Sequence, residues 1–392
     1  MSRPLNVLVA PDSYGGALDS VGVARAIAAG WSSVRPDDAV VIRPMADGGE
    51  GTLAAVGEAL GDAAEVRTTE TTDALGRPVT ASWLLVDGGL GAFVEMASAS
   101  GLAHVAPGER TPDSVRNASS RGTGDVLRAA LEAGVERITI GLGGSATNDG
   151  GTGILRALGV RFVDAAGNDL PEGGAALADI ARIDTSGLEP RLAEVRLVIA
   201  SDVTNPLCGP RGASATYGPQ KGADPATVEE LDAALKAYGR AIEAATGRLV
   251  ADLPGAGAAG GTTAAFLGFT AATVRPGVEV VAELVGLAAA LEGADLVITG
   301  EGRADAQTLS GKAAMGVAIL ARPRNTPVVL MAGALGEGAE ALNAATALDL
   351  IQPIGDRPME LDAAMADTER LLANAAARVA RAIGIGMALA RT

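Results

Sequence analysis

Four polar motifs, three of which contain glycines, each begin where a predicted strand ends. They occupy residues 45–52, 141–151, 200–207 and 299–312. Open α/β sheets bind their ligands beyond the carboxyl ends of the strands. Because unrelated glycine turns would have no reason to share this placement, we interpret the four motifs as the lining of one ligand-binding cleft.

The motif at residues 45–52 combines two carboxylates with three glycines at a predicted helix start. Asp47 and Glu50 are candidates to bind a metal ion or a substrate hydroxyl. Gly48 and Gly49 allow the backbone to approach a ligand closely. The alternative interpretation is an acidic helix start that complements the helix dipole.

The motif at residues 141–151 is a long glycine cluster between a predicted strand and a predicted helix. Glycine N–H groups at a helix start can form an anion cradle, hydroxyls add further donors, and Asp149 is a candidate Mg²⁺ ligand. The alternative is a plain glycine turn in which a side chain caps the helix. The candidate binding residues of this loop are Gly143, Gly144, Ser145, Thr147 and Asn148.

The motif at residues 299–312 mixes both signs of charge. Glu301 and Asp305 are candidates for Mg²⁺ binding or general-base work, with Arg303 and Lys312 as counter-charges. Phosphoryl transfer needs this mixture, because cations neutralise the spreading charge and an acidic group orients the attacking hydroxyl. The alternative is an ion-pair loop at the surface.

Three further candidates are less specific. Asp202 and Asn205 follow a predicted strand and suit a hydroxyl acceptor and a metal ligand, although an Asx-turn explains them equally well. Lys221 is one of three lysines and lies between glycines in a predicted turn, where it would be a point charge for phosphate. Residues 252–262 are small, and either a loop against a nucleotide or a tightly packed helix fits them.

The composition excludes several classes of protein. A formal net charge of −16 over 392 residues disfavours binding to nucleic acid or to an anionic membrane. Cys208 is the only cysteine, so no intramolecular disulfide can form, and we expect a cytoplasmic location. His104 is the only histidine, which rules out a His-rich zinc site. No apolar run of about 20 residues predicts a transmembrane helix.

The order of predicted elements indicates two domains of α/β class. Strands and helices alternate over residues 5–60 and again from residue 296, which is typical of a parallel sheet. Short strand-like runs joined by turns follow residue 62 and favour an antiparallel sheet. We therefore predict one domain from residues 1–62 and 275–392, with a second domain, residues 63–274, inserted into it.

Taken together, the motifs resemble those of the ATP-dependent bacterial glycerate kinases of the glycerate 2-kinase family. The resemblance implies a flavodoxin-like parallel-sheet domain, an inserted α/β domain with a mixed or antiparallel sheet, and an active-site cleft between them. It also implies ATP, Mg²⁺ and D-glycerate, with 2-phosphoglycerate as product and 3-phosphoglycerate as the alternative. The motifs that carry it lie at residues 10–13, 46–52, 119–124, 143–151, 205–207, 217–222, 254–261 and 299–303.

The motifs and the resemblance together lead to a hypothesis for the roles of individual residues. Asp47, Asp202 or Asp305 would orient or deprotonate the attacking hydroxyl. Lys221, Arg303 and Lys312 would neutralise charge, while Asp149 and Glu301 would bind the metal. Further binding residues would be Asp12, Ser13, Arg121 and Gly257.

One position departs from the family pattern, which usually reads Pro-Asp-Ser-Phe/Tyr-Lys. Here Gly15 stands where that lysine is expected. Two alternatives follow: a kinase for another small hydroxy acid or a sugar, or a nucleotide- or metabolite-binding homologue with weakened catalysis. The sequence leaves open whether the chain forms a homodimer.

Overall fold

The computed structural model describes residues 3–306, 308, 313–339, 342 and 348–390. The chain divides into two compact units. The first contains the chain up to Asp47, Ala54–Gly61, and the described residues from Val278 onward. The second contains Gly48–Leu53 and Asp62–Gly277. We predict domain boundaries at 62/63 and 274/275, and that these domains fold independently stays a prediction.

The strands are, in chain order, β1 (Asn6–Val9), β2 (Ala39–Ile42), β3 (Glu65–Thr72), β4 (Pro78–Val86), β5 (Gly91–Glu95), β6 (Arg137–Gly141), β7 (Arg161–Val163), β8 (Arg182–Asp184), β9 (Arg196–Ala200), β10 (Thr273–Arg275), β11 (Leu296–Ala304), β12 (Val328–Leu335) and β13 (Leu350–Pro353).

The helices are α1 (Ser20–Ser32), α2 (Thr52–Leu60), α3 (Ala97–Ser100), α4 (Pro112–Asn117), α5 (Arg121–Glu132), α6 (Thr152–Ala157), α7 (Ala213–Lys221), α8 (Pro225–Thr246), α9 (Ala258–Phe269), α10 (Gly277–Leu284), α11 (Leu287–Glu292), α12 (Ala313–Ala321), α13 (Leu361–Ala366) and α14 (Thr368–Leu389).

The first unit is built on a five-stranded parallel sheet in the order β2-β1-β11-β12-β13. Counted within the unit this is 2-1-3-4-5, the strand order of flavodoxin-like folds. Chain direction switches sides between β1 and β11, and ligands bind at such a switch point in this fold. The predicted flavodoxin-like α/β fold is therefore confirmed.

Helices α1 and α14 pack together in the core of the first unit. Asp19 caps α1, because its side chain accepts a hydrogen bond from the N–H of Gly22. Among the described residues, α14 is the one helix long and apolar enough to pass a composition test for spanning a membrane. Its buried residues, including Leu371 and Leu372, lie in this core.

The second unit is built on a six-stranded mixed sheet in the order β10-β9-β6-β5-β4-β3. Strands β5, β6, β9 and β10 run parallel to one another. Strand β4 pairs antiparallel with both β3 and β5. The prediction of hairpins after residue 62 is confirmed for β3–β5. The parallel half of this sheet brings the carboxyl ends of β5, β6 and β9 to one edge.

Candidate functional site

Asp12 lies at the switch point of the parallel sheet in the first unit. The chain leaving β1 stays paired with β11, because the N–H of Ala10 donates to Ile298 O and the N–H of Asp12 donates to Gly300 O, both at 2.8 Å. The next N–H, of Ser13, donates to Asp12 Oδ1 at 2.6 Å. Asp12 is thereby held beside Glu301, which follows Gly300 on β11.

The carboxyl group of Asp12 has a pKa raised to about 6. Burial is the main cause, and the negative charges of Asp47 and Glu301 add to it. Glu301 is itself buried and accepts a hydrogen bond from Thr308 Oγ1 at 2.8 Å. A carboxyl group that changes charge near neutral pH suits general acid–base catalysis. The sequence placed Asp12 among the binding residues only, because burial and the neighbouring charges are not readable from its motif.

The segment after Asp12 is anchored through Tyr14. The hydroxyl of Tyr14 donates to Met331 O at 2.8 Å, and the ring is buried. Burial raises the pKa of this phenol. Gly15 stands beside it in open space, since a Cβ built there meets no atom within 4 Å. A lysine at position 15 would therefore be accepted without a steric clash.

Arg303 and Asp305 form an ion pair, with Nε and Oδ2 3.1 Å apart. The Arg303 side chain is 65% exposed, so the pair is a surface one. Lys312, the second predicted counter-charge of this motif, lies outside the described residues. Whether either cation acts in catalysis stays a prediction.

In the second unit, the backbone at Gly48 and Gly49 crosses the carboxyl ends of two strands. A Cβ at Gly48 would lie 2.8 Å from Ala200 O, at the end of β9. A Cβ at Gly143 would lie 2.4 Å from Gly49 Cα, and the N–H of Gly143 donates to Gly48 O at 3.1 Å. Glycine is needed here for close contact between two backbone segments.

Glu95, whose role no motif in the sequence indicates, caps the start of α2. Its carboxylate oxygens accept hydrogen bonds from the N–H groups of Gly51, at 3.1 Å, and Leu53, at 2.7 Å. Burial raises the pKa of Glu95, and the charge of Glu50 adds to the effect. The available signal was a glutamate ending an otherwise apolar strand. The helix start at residue 52 is thus occupied by a carboxylate of the protein.

The loop after β6 exposes only its tip. Gly144 is exposed and Gly143 is half-buried, whereas Ser145, Thr147 and Asn148 are buried. Asn148 Nδ2 donates to Ser214 Oγ at 3.0 Å. Within the described residues, Asn148 Oδ1 and Thr147 Oγ1 have no hydrogen-bond partner. The tip is therefore the most exposed part of this loop, and binding by Ser145, Thr147 and Asn148 stays a prediction.

Asp149 does not fit the predicted role of metal ligand. Its buried Oδ2 accepts hydrogen bonds from Ser120 N, at 2.9 Å, Ser120 Oγ, at 2.7 Å, and Gly153 N, at 3.1 Å. Its Oδ1 accepts from Gly151 N at 3.1 Å. The N–H groups of Gly151 and Gly153 at the start of α6 bind Asp149, so an anion cradle in this loop stays a prediction for its other N–H groups.

Lys221 ends helix α7, so the predicted turn at this position is wrong. Only 3% of the residue is exposed, and Nζ donates to Ser145 Oγ at 3.0 Å and to Thr147 O at 2.7 Å. Burial lowers the pKa of Lys221 to about 8, while the charge of Asp149 acts in the opposite direction. This side chain faces the interior of the unit and contacts the loop after β6.

Asp202 and Asn205 lie in the segment after β9. Asp202 Oδ1 accepts a hydrogen bond from Gly277 N at 3.1 Å. Asn205 Nδ2 donates to Arg211 O at 2.7 Å, and its Oδ1 accepts from Tyr217 Oη at 2.9 Å. These contacts shape the segment, and a role in binding stays a prediction for both residues.

The small residues at 252–262 are explained by packing. A Cβ at Gly257 would lie 2.3 Å from Pro206 O, and one at Gly260 would lie 2.1 Å from Thr147 O.

Arg121, also a predicted binding residue, is exposed and forms an ion pair with Glu172 at 2.9 Å.

The described residues include no group of three or more His, Cys, Asp or Glu side chains placed to hold a metal ion. Mg²⁺ in phosphoryl-transfer enzymes commonly uses one or two carboxylates and completes its shell with phosphate oxygens and water. Glu301 fits that smaller requirement, because Asp12 and Asp47 lie close to it: the charges of Asp47 and Glu301 add to the effect of burial on the pKa of Asp12.

A family model, known proteins and a solved structure that are similar to this chain all carry the name glycerate kinase. The model of the glycerate kinase family matches residues 7–384. A glycerate kinase of Halalkalibacterium halodurans is 43% identical over 95% of this chain and 97% of its own. A glycerate 2-kinase of Escherichia coli K12 is 42% identical over 98% and 99%. A crystal structure assigned as glycerate kinase 2 from Salmonella typhimurium LT2 is 44% identical, covers 98% and 99%, and superposes with a TM-score of 0.85.

Proposed function

Because the chain belongs to the glycerate kinase family, we propose that it transfers the γ-phosphoryl group of ATP to the 2-hydroxyl of D-glycerate, giving 2-phosphoglycerate and ADP. The near end-to-end likeness to a protein named glycerate 2-kinase carries this proposal. The flavodoxin-like strand order supports it further, since a carboxyl group with a near-neutral pKa lies at the switch point where such sheets bind ligands.

In the proposed reaction Asp12 is the general base. The substrate hydroxyl oxygen bonds to the γ-phosphorus, the bond from that phosphorus to the β–γ bridging oxygen breaks, and the hydroxyl proton passes to the Asp12 carboxylate. A base with a pKa near 6 is deprotonated at neutral pH and still binds a proton appreciably. Two of the earlier candidates are engaged elsewhere, Asp305 with Arg303 and Asp202 with the N–H of Gly277.

Mg²⁺ would supply charge neutralisation on the phosphate oxygens. Glu301, together with Asp47, is the carboxylate set that we propose for it, which leaves Asp12 to accept the proton. Asp149 is left out, because its oxygens are occupied by hydrogen bonds within the second unit.

The experiment is a coupled assay of ADP release with D-glycerate, followed by carbon-13 NMR of the product. We expect turnover with ATP and Mg²⁺, and a product phosphorylated at carbon 2. Asp12→Asn should lower kcat by at least about 100-fold, the usual contribution of a general base. A panel of other hydroxy acids and sugars tests the acceptor. Faster turnover with any of them, or none with D-glycerate from micromolar to millimolar concentration, would refute the proposal.

A further inference from the structure

Lys221 is held in the interior of the second unit by the way α7 ends. Gly222 follows it in the left-handed conformation, with φ of 112°. A Cβ at Gly222 would lie 2.4 Å from the carbonyl carbon of Arg110, so the helix end packs directly against the backbone before α4. This contact fixes the last turn of α7 and directs the Lys221 side chain inward.

The Lys221 side chain borders a mostly apolar cavity, while its ammonium group is also influenced by the negative charge of Asp149. Leu75, Val105, Val115 and Ala146 line the small cavity that Lys221 borders. Keeping a charge here is costly unless hydrogen bonds compensate for the lost water. The contacts with Ser145 Oγ and Thr147 O provide that compensation, at 3.0 and 2.7 Å. Both acceptors belong to the loop after β6.

The same loop is fixed at both ends by other contacts. At its start the N–H of Gly143 donates to Gly48 O, and at its end Asp149 binds Ser120. Between these points the N–H of Ala146 donates to Ser100 O at 2.9 Å. Lys221 adds a charged donor that ties two positions of the loop to a different helix, directly behind the exposed tip.

We propose that Lys221 is a positioning residue for the tip Gly143–Gly144, whose backbone contacts an oxygen-bearing group of a substrate. Lys221 itself does not touch the substrate. It acts by holding Ser145 and Thr147, so that the tip is ordered before the substrate arrives. The identity of the ligand rests on the proposed function. The ordering of the loop does not, because it is a property of the protein alone.

The test compares Lys221→Met with Lys236→Met in hydrogen–deuterium exchange. Lys236 is exposed on α8, so its replacement removes the same charge from a surface position. Loss of a charged hydrogen bond corresponds to about a 10- to 100-fold change in a local opening equilibrium. We expect exchange in residues 143–149 to rise by that factor in Lys221→Met and to be unchanged in Lys236→Met. A folded Lys221→Met protein with wild-type exchange in this segment would overturn the proposal.

Ser145→Ala provides a second route if Lys221→Met does not fold. It removes one of the two acceptors and leaves the lysine in place. Raised exchange in residues 143–149 supports the proposal, and wild-type exchange overturns it.

Steady-state kinetics separate positioning from direct catalysis. Positioning predicts a KM for one substrate raised about tenfold, with kcat lowered by less than about threefold. A fall in kcat of about 1,000-fold at unchanged KM would make Lys221 a catalytic residue and refute the proposal. If exchange rises in Lys221→Met but no variant, nor the wild type, phosphorylates glycerate, the positioning role stands and the proposed function fails.

Discussion

Replacing Asp12 with asparagine should stabilise the protein while it removes activity. The pKa of Asp12 is raised from 3.8 to about 6, so the folded state binds this proton more tightly than the unfolded chain does. The stabilisation is therefore complete below pH 3.8 and is lost as the pH rises through 6. Asparagine stays neutral throughout and still accepts the hydrogen bond from Ser13 N.

The size of this change in stability follows from the shift in the pKa of Asp12. About 2 pKa units at about 1.4 kcal/mol each give about 3 kcal/mol as an upper limit. Because Asp12 is partly exposed, solvent screening reduces this to about 1–3 kcal/mol. The entropy of unfolding is about 2.1 cal/mol/K per residue, and the chain has 392 residues. Asp12→Asn should therefore raise the Tm by roughly 1–4 °C at pH 8.

Calorimetry of both proteins from pH 5 to pH 8 measures the difference. The gain in Tm should be about half of its full size at pH 5 and should reach a plateau above pH 7. Asp37→Asn, at an exposed position of the same unit, is the matched control and should show little change. The reasoning about buried charge is refuted if Asp12→Asn is less stable than wild type at pH 8, or if the gain does not depend on pH.

Four further outcomes follow from individual contacts. Glu95→Ala leaves the N–H groups of Gly51 and Leu53 unbonded and should cost about 2–4 kcal/mol in chemical denaturation, whereas Glu95→Gln keeps one acceptor and should cost about half as much. Gly143→Ala places a Cβ 2.4 Å from Gly49 Cα and should cost about 1–3 kcal/mol, and Gly108→Ala, where nothing lies within 4 Å, should be neutral in the same assay. Gly15→Lys should leave the Tm within about 1 °C, because the position is open, and its effect on kcat/KM reports whether a cation at this point assists turnover. Burial lowers the pKa of Lys221 to about 8 in the folded state, so wild type should gain up to about 3 kcal/mol relative to Lys221→Met between pH 8 and pH 10.5, and equal pH slopes for the two proteins would contradict this.

The sequence was sufficient to predict the elements that carry the sheets. Alternating apolar runs and helical stretches identified β1, α1 and β2, and turns after residue 62 identified the antiparallel strands. These patterns are local, since a strand or helix with one buried face shows its period in the chain itself. The ordered motifs likewise predicted the family, which the comparisons confirm.

The predictions that failed depended on what lies opposite each side chain. The flanking glycines predict a turn at Lys221, but α7 continues to that residue, and packing of Gly222 on the backbone at Arg110 decides where the helix ends. The glycine cluster likewise predicts a metal-binding role for Asp149. Its actual partners include Ser120, distant in the chain, which no local pattern reveals.

Chemically reactive residues were thus identifiable by type and spacing, but the tertiary structure alone decided which of them face inward. Local patterns in the sequence predicted the two kinds of sheet, whereas the contacts between backbone segments at Gly48 and Gly143 are visible only in the structure. The tertiary structure determined that Lys221 and Asp149 hold a loop and that Asp12 has a near-neutral pKa. The physical reason is that burial and neighbouring charge set the properties of an ionisable group, and both come from residues remote in sequence.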